Sequence, residues 1–198
     1  DYPESRFVLN GPDYLIVEDS YRHCNPSNAG PIVISCGGSD PYRLTEKCIE
    51  ALSGIHRSIV SIVGPARPPL ALDFSHLENV TVVNSPDGLA PYFNGASTAV
   101  VTMGMTAYEA LAAGVPCVLL NISLDHGRTA RALQDEHVAL DAGLWSEFSP
   151  LRVKSATESL VYNPPVWQAV SRAARKLIDG RGTERVADRI AELLEESK

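Results

Sequence analysis

The chain has 198 residues, 44% hydrophobic and 21% charged, with a formal net charge of −7, enough apolar material to bury the core of one domain. The acidic balance argues against a nucleic-acid partner, and no apolar run approaches the ~20 residues that span a bilayer, so no membrane insertion is expected. Four widely spaced cysteines, Cys24, Cys36, Cys48 and Cys117, form no C-x-x-C pair, which disfavours a metal site or a disulfide framework and fits a cytoplasmic setting.

Residues 1–10 read as a mixed lead-in, 14–17 as an edge strand and 18–30 as a charged, turn-rich surface loop. The first clear strand spans 31–36, after which G-G-S-D-P (37–41) turns into a helix ending near Ser53. Ser39 or Asp40 suits its N-cap, and Pro41 its first position. Strands follow at 58–63 and 79–84, separated by a proline-rich loop (64–69) and a weakly amphipathic stretch (70–77). S-P-D-G (85–88) opens a short helix that Asn94-Gly95 ends.

Residues 96–121 are the organising stretch, A-S-T-A-V-V-T-M-G-M-T-A-Y-E-A-L-A-A-G-V-P-C-V-L-L-N. They read as strand (98–102), glycine turn, helix (106–113) and strand (117–120), a βαβ unit with parallel strands. The first amides of that helix lack intrahelical partners, and the dipole makes this end partly positive. A phosphate fits there, beside a Gly104 that lets it approach the backbone. Thr106 and Glu109 have the T-x-x-E spacing of a capping box. Glu109 either bonds back to the helix start or grips a sugar hydroxyl, and the spacing leaves both open.

Beyond it come a helix at 125–136, a short strand at 138–140 closed by Asp141-Ala-Gly143, and a helix from Ser149-Pro150 to about Val161. Asn163-Pro164-Pro165 breaks the chain before a helix at 166–178. Thr183 caps a last amphipathic helix with Val186, Ile190, Leu193 and Leu194 on its apolar face. Alternating strands and helices predict an α/β fold, a doubly wound parallel sheet whose ligands bind outside the carboxyl ends of the strands. Both glycine turns and residues 84–88 fall at those ends. Neither turn is a G-x-x-x-x-G-K-[ST] or G-x-G-x-x-G motif, so a P-loop ATPase and an NAD enzyme are disfavoured. A nucleotide diphosphate ester held by backbone amides fits better, without metal or cofactor.

C-G-G-S-D-P-Y-R-L-T, M-G-M-T-A-Y-E-A-L-A-A-G-V-P and D-G-R-G-T-E-R-V-A occur in that order. Together they resemble the C-terminal half of the UDP-sugar hydrolases of pseudaminic acid biosynthesis and the related spore-coat polysaccharide proteins. More distantly, the chain is similar to the Rossmann-like nucleotide-binding domain of GT-B glycosyltransferases. The resemblance runs from about residue 10 onward. It implies that residues 1–30 are a lead-in and interdomain segment, and that 31–198 bind the UDP of a UDP-sugar. Amides around Gly104, Met105 and Thr106 would hold the diphosphate and Glu109 the ribose. Gly38 and Ser39 would lie against the phosphates, and the backbone of the loop bearing Asn84, Ser85 and Leu89 would read the uracil edge. Asp125 and His126 align with the pair that meets the donor sugar, a histidine replacing the usual glutamine. Met103 replaces the first of a paired glycine, which predicts less room for a diphosphate. These two replacements favour the alternative of a non-catalytic binding or scaffold module. The catalytic histidine of the family lies in an N-terminal domain missing from this chain. The chain starts at Asp1 and holds no methionine before Met103, so a piece of a longer protein is expected.

Overall fold

A computed structural model describes residues 8–67 and 70–196; the start of the predicted lead-in and the end of the proline-rich loop lie outside them. The strands are β1 (Ile32–Ser35), β2 (Ile59–Val63), β3 (Val80–Asn84), β4 (Thr98–Thr102), β5 (Cys117–Asn121) and β6 (Ala139–Leu144). They form one six-stranded sheet in the order β3-β2-β1-β4-β5-β6, and every pairing is parallel. The chain winds outward from β1 to β3, returns, and winds the other way from β4. The strand order therefore reverses between β1 and β4, and the crevice above their carboxyl ends is where ligands of such sheets bind.

The helices are α1 (Leu44–Leu52), α2 (Ala90–Phe93), α3 (Met105–Ala112), α4 (Leu124–Asp135), α5 (Pro150–Val161), α6 (Pro164–Leu177) and α7 (Gly182–Glu196). Side chains alternate along each central strand, so each strand feeds two cores. Ile32, Ile34, Val100, Val118 and Leu120 pack with Leu44, Ile49 and Leu52 of α1 and Val153 and Leu160 of α5. On the other face Val33, Val101 and Leu119 meet Phe93 of α2, Ala107 and Leu111 of α3, and Leu133 of α4. This is the doubly wound, Rossmann-like architecture the alternation predicts. All four cysteines are buried and free.

The structure corrects several boundaries. The expected edge strand at 14–17 does not pair with the sheet, whose edges are β3 and β6. Instead the segment runs from a 3-10 turn (Pro12–Tyr14) across the start of α7. A Cβ at Gly182 would stand 2.1 Å from the Leu15 carbonyl oxygen, and only glycine allows so close a pass. The expected surface loop at 18–30 contains a second 3-10 helix, Asp19–His23, that buries Tyr21. α6 begins at the two prolines rather than after them. Asn163 caps it, accepting from the Val166 amide, and Pro164 occupies a first-turn position whose N–H would have no intrahelical partner anyway. β6 runs on through Gly143 to Leu144 by a bulge: Leu119 pairs with Asp141 but Asn121 with Leu144, one residue more on β6 than on β5. The apolar stripe of α7 is largely uncovered, with Ile190 and Leu194 exposed.

Candidate functional site

Two glycine turns border the β1–β4 crevice, and they have opposite fates. After β1, Gly38 and Ser39 are exposed while Asp40 is buried. Asp40 takes a positive φ of 36°, and α1 begins only at Leu44. Its carboxylate accepts from the Leu44 amide (2.7 Å) and the Thr45 amide (3.0 Å). Pro41 is thus a turn residue rather than the first helical position, and Ser39 makes no cap. The amides expected to form an anion cradle at α1 already hold the protein's own anion, which satisfies both the donors and the dipole.

Arg67 fixes that arrangement. Its guanidinium meets Asp40 at 3.0 Å and Glu46 at 3.1 Å, and all three side chains are nearly inaccessible. Glu46 also accepts from Arg43 (2.7 Å) and from the Ala71 amide (2.7 Å). The next loop docks on the turn, the Ala66 amide donating to the Gly38 carbonyl at 3.0 Å. A Cβ at Gly64 would lie 2.5 Å from the Gly38 backbone.

The turn after β4 is open. Gly104, at φ 156°, is the N-cap of α3 and offers no side-chain cap. A Cβ there would meet nothing within 4 Å, so the space beside the first amides of α3 is clear. Thr106 lies inside the helix rather than at its cap, so Thr106 and Glu109 cannot form the capping box. Glu109 instead faces the Tyr21 hydroxyl. The Leu89 backbone amide also lies near that hydroxyl. One tyrosine from the supposed surface loop therefore sits between the start of α2 and the carboxylate of α3. Burial and the carboxylate of Glu109 push its hydroxyl up to about 12. Glu109 is itself raised, first by burial, with the Tyr21 hydroxyl opposing the effect and Glu18 adding to it. Met105 and Glu109 line a cleft of about 560 Å³ with Ile16, Glu18 and Thr183. A carboxylate kept in a cleft whose surroundings oppose its ionisation is a functional-site signal.

The other expected site residues are more scattered. Asn84 ends β3 and Ser85 follows at φ 45°, both exposed, with the Ser85 amide donating to Val63. No hydrogen bond among the described residues ties either to α3. Asp125 and His126 open α4 as neighbours about 100° apart around the helix. The Asp125 carboxylate pairs with Arg128 at 3.0 Å in an exposed bridge. The His126 amide donates to the capping Ser123 hydroxyl, and the imidazole Nδ1 is buried without a partner among the described residues.

Met103 does not crowd the crevice. It is 3% exposed and packs in the core with Ala107 and Leu119, so the expected loss of room for a diphosphate does not arise. Replacing it by glycine should therefore cost about 2–5 kcal/mol of stability, as deleting a buried methionine side chain does. Urea denaturation checks this, and a variant as stable as the parent would show the side chain to be dispensable packing.

The D-G-R-G-T-E-R stretch turns out to be a structural staple. Asp179 accepts from the Arg181 amide and the Arg185 guanidinium, which hold its carboxyl down at about 2. Glu184 bridges Arg181 and Arg22 at 2.8 and 2.7 Å. These contacts lock the segment carrying Tyr21 against α7, one wall of the Glu109 cleft.

No family model matches the chain. It is similar to the spore coat polysaccharide biosynthesis protein SpsG of Bacillus subtilis, 26% identical over 208 aligned positions that take in 96% of this chain and 59% of that protein. The fold is similar to the glycotransferase of kitacinnamycin, with a TM-score of 0.66 and 26% identity over 85% of this chain and 44% of that one. It also matches the spinosyn forosaminyltransferase SpnP, with a TM-score of 0.64 and 18% identity over 94% of this chain and 49% of that one. The chain thus spans between about two fifths and three fifths of these relatives.

Proposed function

From a Rossmann-like domain of GT-B type with a relative in polysaccharide biosynthesis, we propose that this chain is the UDP-binding half of a nucleotide-sugar enzyme. The observation that carries the reading is the contrast at the crevice. The α1 amides are filled by Asp40, whereas those of α3 open beside Gly104, with Glu109 one turn further on. An anion entering between β1 and β4 meets the free donors of Met105 and Thr106 and the positive end of α3. Glu109 then accepts from the ribose hydroxyls, and Gly38 and Ser39 close over the phosphates. The loop bearing Asn84, Ser85 and Leu89 borders the base, and Asp125 and His126 face the sugar.

Amides and a helix dipole stabilise a departing nucleotide without a lysine or metal on this half. Another domain, preceding this one as in the family it resembles, would supply the water for hydrolysis of the UDP-sugar or the acceptor for transfer. The setting would be cytoplasmic. A non-catalytic binding module remains the second reading through His126 alone, because Met103 no longer supports it.

Calorimetric titration with UDP, using CMP and ADP as controls, tests the proposal. UDP should bind, and Glu109→Ala should weaken it by roughly tenfold or more, the worth of a charge-assisted hydrogen bond. Equal affinity for all three nucleotides would overturn the assignment to UDP, and an unchanged affinity in the variant would overturn the assignment of Glu109.

A further inference from the structure

A second cavity, of about 740 Å³, opens at the β6 edge of the sheet, between α4 and β6. It shares no lining residue with the cleft beside Glu109. The β6 bulge builds its floor. Asn121, at the end of β5 and 1% exposed, donates through Nδ2 to the Asp141 carboxylate (2.7 Å) and the Gly143 carbonyl (3.3 Å). Both partners are acceptors, so the orientation of the amide is fixed. Its Oδ1 is left buried without any donor among the described residues. An acceptor stranded in this way carries a desolvation cost that a ligand donor would relieve. Asp141 is committed elsewhere, to Asn121 and to the Gly143 amide at 2.9 Å. Gln134 accepts from the Asp141 amide at 2.9 Å, which leaves its side-chain N–H groups to donate.

Cations gather above this floor. Arg152 reaches from α5 across Gly143, where any Cβ would stand 2.3 Å from its guanidinium. It donates to the Ala142 carbonyl at 3.4 Å and makes no ion pair among the described residues. Arg131 reaches Asp141 only at 3.9 Å and is two-thirds exposed. With Arg128, three arginines line the cavity against the two carboxylates Asp141 and Glu147, in a chain whose net charge is −7. α4 also presents Gly127 to the cavity, a residue that costs helix stability and leaves room for a ligand against the backbone.

We propose that this cavity binds an acidic sugar, a hydroxylated ring bearing a carboxylate or a phosphate. The anionic group lies between Arg131 and Arg152, where a planar fork matches either anion. A ring hydroxyl donates to Asn121 Oδ1, and others meet Gln134 and Glu147. The requirement for an anion and a donor comes from the cavity. The choice of a sugar rests on the proposed function.

The test is NMR titration of the ¹⁵N-labelled full chain with glucuronate, glucose 1-phosphate and neutral glucose, following the Asn121 side-chain amide and the Arg131 and Arg152 Nε–H signals. Glucuronate or glucose 1-phosphate should shift them with saturation, and which of the two does so identifies the anion. Arg131→Met, at an exposed position that leaves the fold intact, should weaken that binding at least fivefold, and Arg152→Met likewise. If neither acidic sugar shifts these signals, if glucose shifts them equally, or if Arg131→Met leaves the affinity unchanged, the proposal is wrong. UDP added to a separate sample reports on residues 104–109, so the nucleotide reading succeeds or fails independently.

Discussion

Arg67→Met is expected to lower the stability of the chain by about 3–5 kcal/mol, the cost of removing one partner from a buried ion pair. The substitution keeps the length and apolar stem of the side chain but leaves Asp40 and Glu46, 1% and 4% exposed, without their shared cation. Arg43 cannot replace it, because its side chain is more than half exposed and already engaged with Glu46. The acid limb of the stability curve should change as well. Glu46 is held at about 2, against an ordinary 4.5, first by the Arg43 hydrogen bond, then by the Ala71 amide and Arg67, with burial opposing. A depressed carboxyl contributes its stabilisation fully above the unfolded value and loses it as pH falls through the folded one. The parent chain therefore surrenders this contribution between about pH 4.5 and pH 2. In Arg67→Met Glu46 loses one of the cations that hold its carboxyl down, its ionisation becomes harder, and the loss begins at higher pH. Urea midpoints measured from pH 7 downward decide the matter. A change below 1 kcal/mol at neutral pH would show that Arg67 is not what neutralises the pair.

Gly114→Ala should be nearly as damaging, at about 2–4 kcal/mol, for two reasons that a double variant separates. The residue has φ 74° at the end of α3, where a side chain is strained. In addition, its Cβ would fall 2.2 Å from Nε of Arg175. That arginine has little freedom to move, since its guanidinium donates to the carbonyls of Arg22, Cys24 and Ala113. It closes the end of α3 and holds the Tyr21 segment with one group. In an Arg175→Ala background the colliding Nε, Cδ and Cγ are all gone, so Gly114→Ala should cost only its backbone strain there. The two losses should sum to more than the double variant shows. Strict additivity in denaturation experiments would mean that the glycine serves backbone conformation alone.

The sheet was legible in the sequence because its central strands are buried on both faces. Runs such as Ile32-Val33-Ile34 and Val118-Leu119-Leu120 need no tertiary information to be recognised. The open end of α3 was legible for a similar reason: a glycine between an apolar strand and a helix has few other uses. What escaped depended on partners far along the chain. Tyr21 looks like an ordinary residue of a polar loop, and only the fold brings Leu89 and Glu109 to its hydroxyl. The capping reading of Glu109 failed because α3 starts a residue before Thr106, a shift within the usual uncertainty of helix ends. Asp40 was recognised as a cap but not as the occupant of a would-be anion site, since Arg67 is needed to hold it there. The Asn121 floor depends on a bulge, which leaves no mark in hydrophobic periodicity beyond a glycine near a strand end.

The staple that fixes Tyr21 also sets an order of assembly. Its contact from Glu184 to Arg22 joins residues 162 positions apart along the chain, whereas every strand pair except β1–β4 is joined by a single crossover. Closing so long a loop yields nothing until the sheet already holds both ends in place. The cleft wall beside Glu109 is therefore expected to form late in folding and to show weaker hydrogen-exchange protection than the central strands. Under the proposed function, a nucleotide bound there would rest against this wall and help to hold it in place.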